Sequence, residues 1–196
     1  MQVFAESSGV VLTLSFREFS FRVEAAEAAL LRSGVGHGDR IAVLSHPSVQ
    51  FFVYALGLTS LGAVSVQLNW RQPAAALLSM AALSRSVQLI SSALLAEEAR
   101  GIISQRLVPL LWLEPPAAGG LSSGVALPRL DGATCPRPLP PPHTASVVAR
   151  RPDLDSLAII MFTSGSTATP KAVPLTHGEL LWNCRQRERC APPTRQ

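Results

Sequence analysis

The chain has 196 residues, a length suited to one domain of ordinary size. Apolar residues make up 47% and charged residues only 15%, against roughly 25% charged in a typical soluble domain, which fits either a bias towards Ala, Leu, Pro and Ser or an apolar surface that meets further protein. The net charge of +4 is thinly spread, with Arg150 and Arg151 paired and Arg185, Arg187 and Arg189 alternating, and without the interleaved aromatics of a nucleic-acid groove.

Nucleic acid is therefore excluded as the expected partner. Cys135, Cys184 and Cys190 match no zinc spacing and define no disulfide framework, so no metal ligands are predicted. No basic segment leads into an apolar one at the N-terminus, where Glu6 intervenes, so no secretory signal is read and a cytoplasmic location is expected.

In chain order, Val10 to Leu14 suits a short strand. Ser15 and Glu18 form a capping-box signature, and Phe16, Phe19, Val23, Ala26 and Leu30 follow at helical spacing on one face, with Gly34 as the stop. Gly38-Asp39 turns the chain into a strand at Ile41 to Leu44; Pro47 then opens a helix to about Leu61, with a strand from Ala63 to Leu68.

The uncharged stretch Phe51 to Leu68 is nominally long enough for a bilayer. Gly57, Thr59, Ser60, Gly62, Ser65 and Gln67 dilute it, so a buried helix followed by a buried strand is expected and no membrane span. Pro73 opens the next helix, with Leu77, Leu78 and Ala81 inward. Val87 to Ile90 is strand-like, Ala93 to Gln105 helical, and Leu107 to Leu113 strand-like again.

Short apolar strands alternating with amphipathic helices predict an α/β fold, a mainly parallel sheet flanked by helices. Residues 114–153 break the alternation: Pro115, Pro116, Gly119, Gly120 and the run Pro136-Arg-Pro-Leu-Pro-Pro-Pro142 favour extended coil. An insertion loop is the expectation, and a ligand for an SH3-type or WW-type groove the alternative.

The run Leu157 to Phe162 and the run Ala172 to Leu175 bracket the most chemical part of the chain. Thr163, Ser164, Ser166 and Thr167 bring hydroxyls, Gly165 permits close backbone approach, and Lys171 adds a point charge. Hydroxyls and backbone N–H groups around a glycine suit anionic oxygens, so this is a candidate polyphosphate grip. It is not a Walker A loop. Gly165 and Lys171 have that spacing, but Pro170 stands at the second glycine and Ala172 at the hydroxyl that would hold magnesium.

The ordered set Thr163-Ser-Gly-Ser-Thr167, Pro170-Lys171, Val173 and Thr176-His177 closely resembles the signature loop of the adenylate-forming superfamily, which includes acyl-CoA synthetases and peptide-synthetase adenylation domains. Leu31 to Val43, Leu61-Gly-Ala-Val64 and Leu68-Asn-Trp-Arg71 are similar to earlier family segments in the same order. Ala168 and Ala172 depart from it, since the signature has glycine at both. If position 168 needs a left-handed backbone, alanine costs roughly 1–2 kcal/mol there.

The resemblance implies the incomplete N-terminal portion of the large domain of an adenylate-forming enzyme, spanning residues 1–180, with 181–196 as an irregular basic tail. It implies ATP with magnesium as cofactor, a small-molecule carboxylate as substrate and CoA as a possible acceptor. Thr163, Ser164, Gly165, Ser166, Thr167 and Lys171 would hold the phosphates. No catalytic residue is assigned, because the family's later motifs, with their adenine, ribose and magnesium contacts, do not occur after His177. Two readings follow: the N-terminal part of a carboxylate-activating ligase, or a non-catalytic relative that serves as a binding module.

Overall fold

The computed structural model describes residues 2–4, 11–106, 110–114, 125–126, 152–163 and 170–190. The strands β1 (Gln2–Phe4) and β2 (Val11–Thr13) form a separate antiparallel pair. Helix α1 (Phe16–Arg32) starts where the capping-box signature puts it. The Glu18 backbone N–H donates to Ser15 Oγ at 3.2 Å and the Ser15 N–H donates back to Glu18 Oε2 at 2.8 Å. Two otherwise orphan donors are thereby satisfied. The hydrogen bonds from the Ser15 side chain and backbone hold the Glu18 carboxyl below its ordinary range.

α1 ends in a Schellman arrangement around Gly34 at φ +82°, with Val35 N–H donating to the Leu30 carbonyl and Gly34 N–H to that of Leu31. Ala26 and Leu30 are buried, and Phe19 and Val23 pack partly against them. Phe16 does not join this face: it is 76% exposed, at the first helical position, ahead of the packed turns.

The main sheet then builds up through β3 (Arg40–Leu44), α2 (Val49–Ser60), β4 (Val64–Gln67), α3 (Ala74–Leu83), β5 (Gln88–Ser92), a 3-10 turn (Ala93–Leu95), α4 (Ala96–Arg106), β6 (Leu110–Glu114), β7 (Val125–Ala126), β8 (Leu157–Thr163) and β9 (Lys171–Thr176). Its order is β7-β6-β5-β3-β4-β8-β9. Every neighbouring pair is parallel except β8 and β9, which are antiparallel. The expected α/β class and mainly parallel sheet are what the chain adopts.

The pleat divides the core into two layers. Ile41 and Val43 of β3, Ile90 of β5 and Leu111 of β6 pack with α1 and α2 in one cluster. Ala42 and Leu44, Leu89 and Leu110 face the opposite way, in a second cluster with α3 and α4. Both faces of β3 and β5 are thus covered; β3 accordingly reads as an unbroken apolar run, Ile41 to Leu44, whereas β5 follows Leu89 and Ile90 with the buried serines Ser91 and Ser92.

Several local expectations shift. Ser48, not Pro47, starts α2: its hydroxyl accepts from Phe51 N–H at 3.1 Å, satisfying a donor that proline could not. On α3 the inward residues are Leu77, Met80 and Ala81, while Leu78 is only half-buried, because spacings of three and four keep one face. Val87 lies outside β5 and is 47% exposed. Within 114–153, expected to lack regular structure, β7 forms by parallel pairing with β6. The run Pro136 to Pro142 lies outside the described residues.

The tail also differs. Helix α5 (His177–Cys190) continues through residues expected to be irregular. Thr176 and Glu179 form a second capping box: Glu179 N–H donates to Thr176 Oγ1 at 3.2 Å and Thr176 N–H to Glu179 Oε2 at 2.7 Å. With that start and no glycine or proline from Glu179 to Cys190, propensity carries the helix on. Leu181 and Trp182 on it remain exposed.

The stretch Phe51 to Leu68 resolves into α2, a turn at Gly62 and β4, as expected. Among the described residues no helix is long and apolar enough to cross a membrane.

Candidate functional site

In a parallel sheet the carboxyl ends of the strands share one edge, and ligands in such folds bind outside it. Here that edge collects the chain after β3, after β4 and after β8, three adjacent strands. β4 and β8 are in register at Ser65 with Ile159 and Val66 with Ile160. The chain that leaves β4 at Gln67 and the end of β8 at Thr163 therefore emerge on the same edge, from neighbouring strands.

Thr163 is the last residue of β8 and Lys171 the first of β9, and they are direct register partners. The two described members of the predicted phosphate grip therefore face each other at the mouth of the hairpin, both exposed. Ser164, Gly165, Ser166 and Thr167 lie outside the described residues, as does Ala168. Ala172 is described: it pairs with Phe162 inside the antiparallel ladder, with no positive φ. Alanine is unstrained there, so that departure from the signature costs no backbone energy.

The chemistry of the pair suits an anion. The hydroxyl of Thr163 and the ammonium of Lys171 are donors, and no carboxylate bonds to either among the described residues. No group of three His, Cys, Asp or Glu side chains among the described residues could hold a metal ion, so no magnesium ligand is assigned.

The same edge carries a cluster of residues that are distant in sequence. His46 follows β3 and Trp70 follows β4; their ring centroids are 4.2 Å apart with planes inclined at 47°. The Arg71 guanidinium carbon sits 4.7 Å from the centre of the Trp70 ring. The two parallel strands are in register at Val43 with Gln67, and the same offset carried onward joins His46 to Trp70. The signal available in sequence was the Leu68-Asn-Trp-Arg71 segment, but not its partner 24 residues earlier.

The opposite edge of the sheet is built differently. Gly62 has φ +75°, and a Cβ there would collide with the His37 ring. His177, the first residue of α5, is anchored by its N–H to the Ser156 carbonyl at 3.0 Å. Burial lowers the His177 pKa below its ordinary value, and the nearby His37 lowers it further. His37 precedes β3 and His177 follows β9, so both lie at the edge opposite the Thr163–Lys171 mouth.

Comparison with known proteins agrees with this architecture. The family model described as "AMP-binding enzyme" matches residues 5–195. The chain is 32% identical over 182 residues to the hybrid PKS-NRPS synthetase poxE of Penicillium oxalicum, covering 93% of this chain and 4% of that protein. It is 34% identical over 173 residues to a feruloyl-CoA synthase of an Amycolatopsis species, covering 87% of this chain and 30% of the relative. Among solved structures, the N-terminal domain of FACL13 from Mycobacterium tuberculosis aligns with a TM-score of 0.61 and 28% identity, over 90% of this chain and 40% of that one. The chain thus spans less than a third of either curated relative. Motif order, sheet topology and these matches agree: the chain belongs to the AMP-binding enzyme family.

Proposed function

We propose that this chain is the N-terminal, phosphate-gripping part of an ATP-dependent ligase that activates carboxylates. In that reaction a carboxylate oxygen attacks the α-phosphorus of ATP, the bond to pyrophosphate breaks, and an acyl-adenylate remains for transfer to an acceptor such as CoA. Thr163, Ser164, Ser166 and Thr167 would donate hydrogen bonds to the β- and γ-phosphates, Gly165 would admit the backbone close to them, and Lys171 would add charge. Their effect is greatest on the pyrophosphate as it departs, because negative charge grows there in the transition state. Magnesium, where bound with the nucleotide, would supply further charge neutralisation.

The observation that carries this reading is the pairing of Thr163 with Lys171 at the carboxyl edge. Two donors that sequence places eight positions apart are brought opposite each other, at the end of a strand where such folds take ligands. Calorimetric titration with ATP and with AMP tests it. The wild-type chain should prefer ATP, and Lys171→Ala should weaken ATP about tenfold while leaving AMP nearly unchanged, the size expected for one charge-assisted contact. Equal affinity for the two nucleotides in the wild type, or an unaltered preference in the variant, would refute the phosphate grip.

A further inference from the structure

We propose that His46, Trp70 and Arg71 form a second oxyanion subsite on the carboxyl edge, separate from the phosphate loop and specific for a phosphate or carboxylate group of a ligand bound alongside. The inference rests on the reading of that edge as the ligand edge, and takes it beyond the nucleotide.

Arg71 is held ready rather than merely exposed. The Asn69 side chain accepts from the Arg71 N–H at 3.1 Å and the Asn69 carbonyl from the Gln72 N–H at 2.9 Å, which fixes the turn carrying it. Its guanidinium lies against the Trp70 ring, 4.7 Å from the centroid, and Trp70 in turn packs partly into the core beside α3 and α4. A guanidinium held on an aromatic keeps its N–H groups available for a planar, two-point contact with an oxyanion.

No carboxylate uses those groups among the described residues. An arginine whose backbone and stacking are both prearranged, yet whose donors are unspent, has the form of a receptor. His46 adds a second unmet group: its Nδ1 is buried with no hydrogen-bond partner. Such an atom is costly to leave unsatisfied, so a ligand that reaches it gains more than from an exposed site. Gln50, four residues further on in the first turn of α2, is 4% exposed and both its side-chain polar atoms also lack partners.

The position completes the argument. β3, β4 and β8 are neighbouring strands, β4 parallel to both, so this cluster, just beyond β3 and β4, lies on the same edge as Thr163 at the end of β8. The chemistry fits a ligand with two anionic ends, or two ligands that meet on the edge.

The test titrates the whole chain, by calorimetry, with inorganic phosphate, with sodium acetate and with ATP. Arg71→Ala should weaken phosphate or acetate at least about tenfold, the scale of a charge-assisted two-point contact. Arg71→Lys should recover only part of that loss, because an ammonium keeps the charge but not the plane. Lys171→Ala should not abolish the response that Arg71 governs. Tighter binding of phosphate than acetate assigns a phosphorylated ligand, and the reverse assigns a carboxylate.

The proposal is overturned if neither anion binds the wild type, if Arg71→Ala leaves both unchanged, or if the lysine variant matches the wild type. If ATP fails to bind while Arg71→Ala still abolishes phosphate binding, the phosphate-loop reading falls and this subsite stands. Trp70→Phe provides an independent check: it preserves a ring but weakens the cation–π contact, so it should give a smaller loss in the same direction. An unaltered melting temperature for the arginine variants confirms that the loss is not one of folding.

Discussion

The middle of the sheet and its β8–β9 end obey different rules. β3 and β5 are covered on both faces, by α1 and α2 on one side and α3 and α4 on the other. β8 alternates buried and less buried residues along much of its length, and β9 has no buried residue at all. The same chain therefore contains a closed sandwich and an open hairpin. The sandwich supplies rigidity; the hairpin carries the mouth between Thr163 and Lys171 and draws its order from pairing with β4 and from the His177 N–H bond to the Ser156 carbonyl. An exposed strand can hold a precise register as long as one neighbour is anchored.

The sharpest way to break this comparison is to remove the same side chain in each region. Leu58→Ala, in the closed layer and fully buried, should cost about 2–5 kcal/mol in urea unfolding. Leu175→Ala, half-buried on β9, should cost roughly 1 kcal/mol or less. Equal losses would mean that the hairpin is packed as tightly as the core.

A slightly smaller effect is expected at Gly62. Its positive φ and the His37 ring each oppose a side chain there, so Gly62→Ala should lose about 2–3 kcal/mol by the same measurement. Gly34→Ala meets open space and should lose only the conformational part, roughly 1–2 kcal/mol. A smaller loss at position 62 than at 34 would show that His37 yields freely.

The two capping boxes compare the regions through one kind of bond. Ser15→Ala and Thr176→Ala each remove a side-chain oxygen from a helix start, worth about 1 kcal/mol. The first should appear in the global unfolding midpoint. The second should appear chiefly as faster amide hydrogen exchange along α5, whose burial is slight. Identical global losses would join α5 to the cooperative core.

The smallest effect is a pH dependence. His177 has its folded-state pKa lowered by burial and by His37, from an ordinary value of 6.5. The folded state therefore binds this proton less readily than the unfolded state. The stability it contributes is complete above about pH 6.5 and is lost as pH falls from there through the lowered folded-state value. Melting temperatures between pH 8 and pH 5 should fall less in His177→Gln than in the wild type. Parallel curves would remove His177 from the junction.

Much of the fold was legible because its signals are local. The Ser15-x-x-Glu18 box, the Gly34 stop and the apolar run of β3 each carry their own cause. What was missed depends on partners distant in sequence. β7 is two residues that exist as a strand only beside β6. β1 is three residues with no periodicity of their own. α5 presents no apolar stripe to read, although its Thr176-x-x-Glu179 start was visible in the sequence.

The site divides the same way. The residue types of the proposed phosphate loop were plain, but the facing of Thr163 and Lys171 follows from an antiparallel register that no composition encodes. The meeting of His46 with Trp70 follows from a parallel one.

That register sets which changes of length the mouth between Thr163 and Lys171 can absorb. Thr163 and Lys171 are joined by seven residues and held one strand spacing apart by the ladder. Extending the connection costs little closure entropy, about 0.6 kcal/mol for each doubling of its length. One residue added inside β8 or β9 would instead turn every later side chain to the other face and part the threonine from its lysine. A residue inserted between positions 164 and 170 should therefore leave the melting temperature nearly unchanged even where it displaces the proposed phosphate contacts, whereas one inserted in a flanking strand should lower it. The hairpin is an edge at which length can drift without moving its two posts.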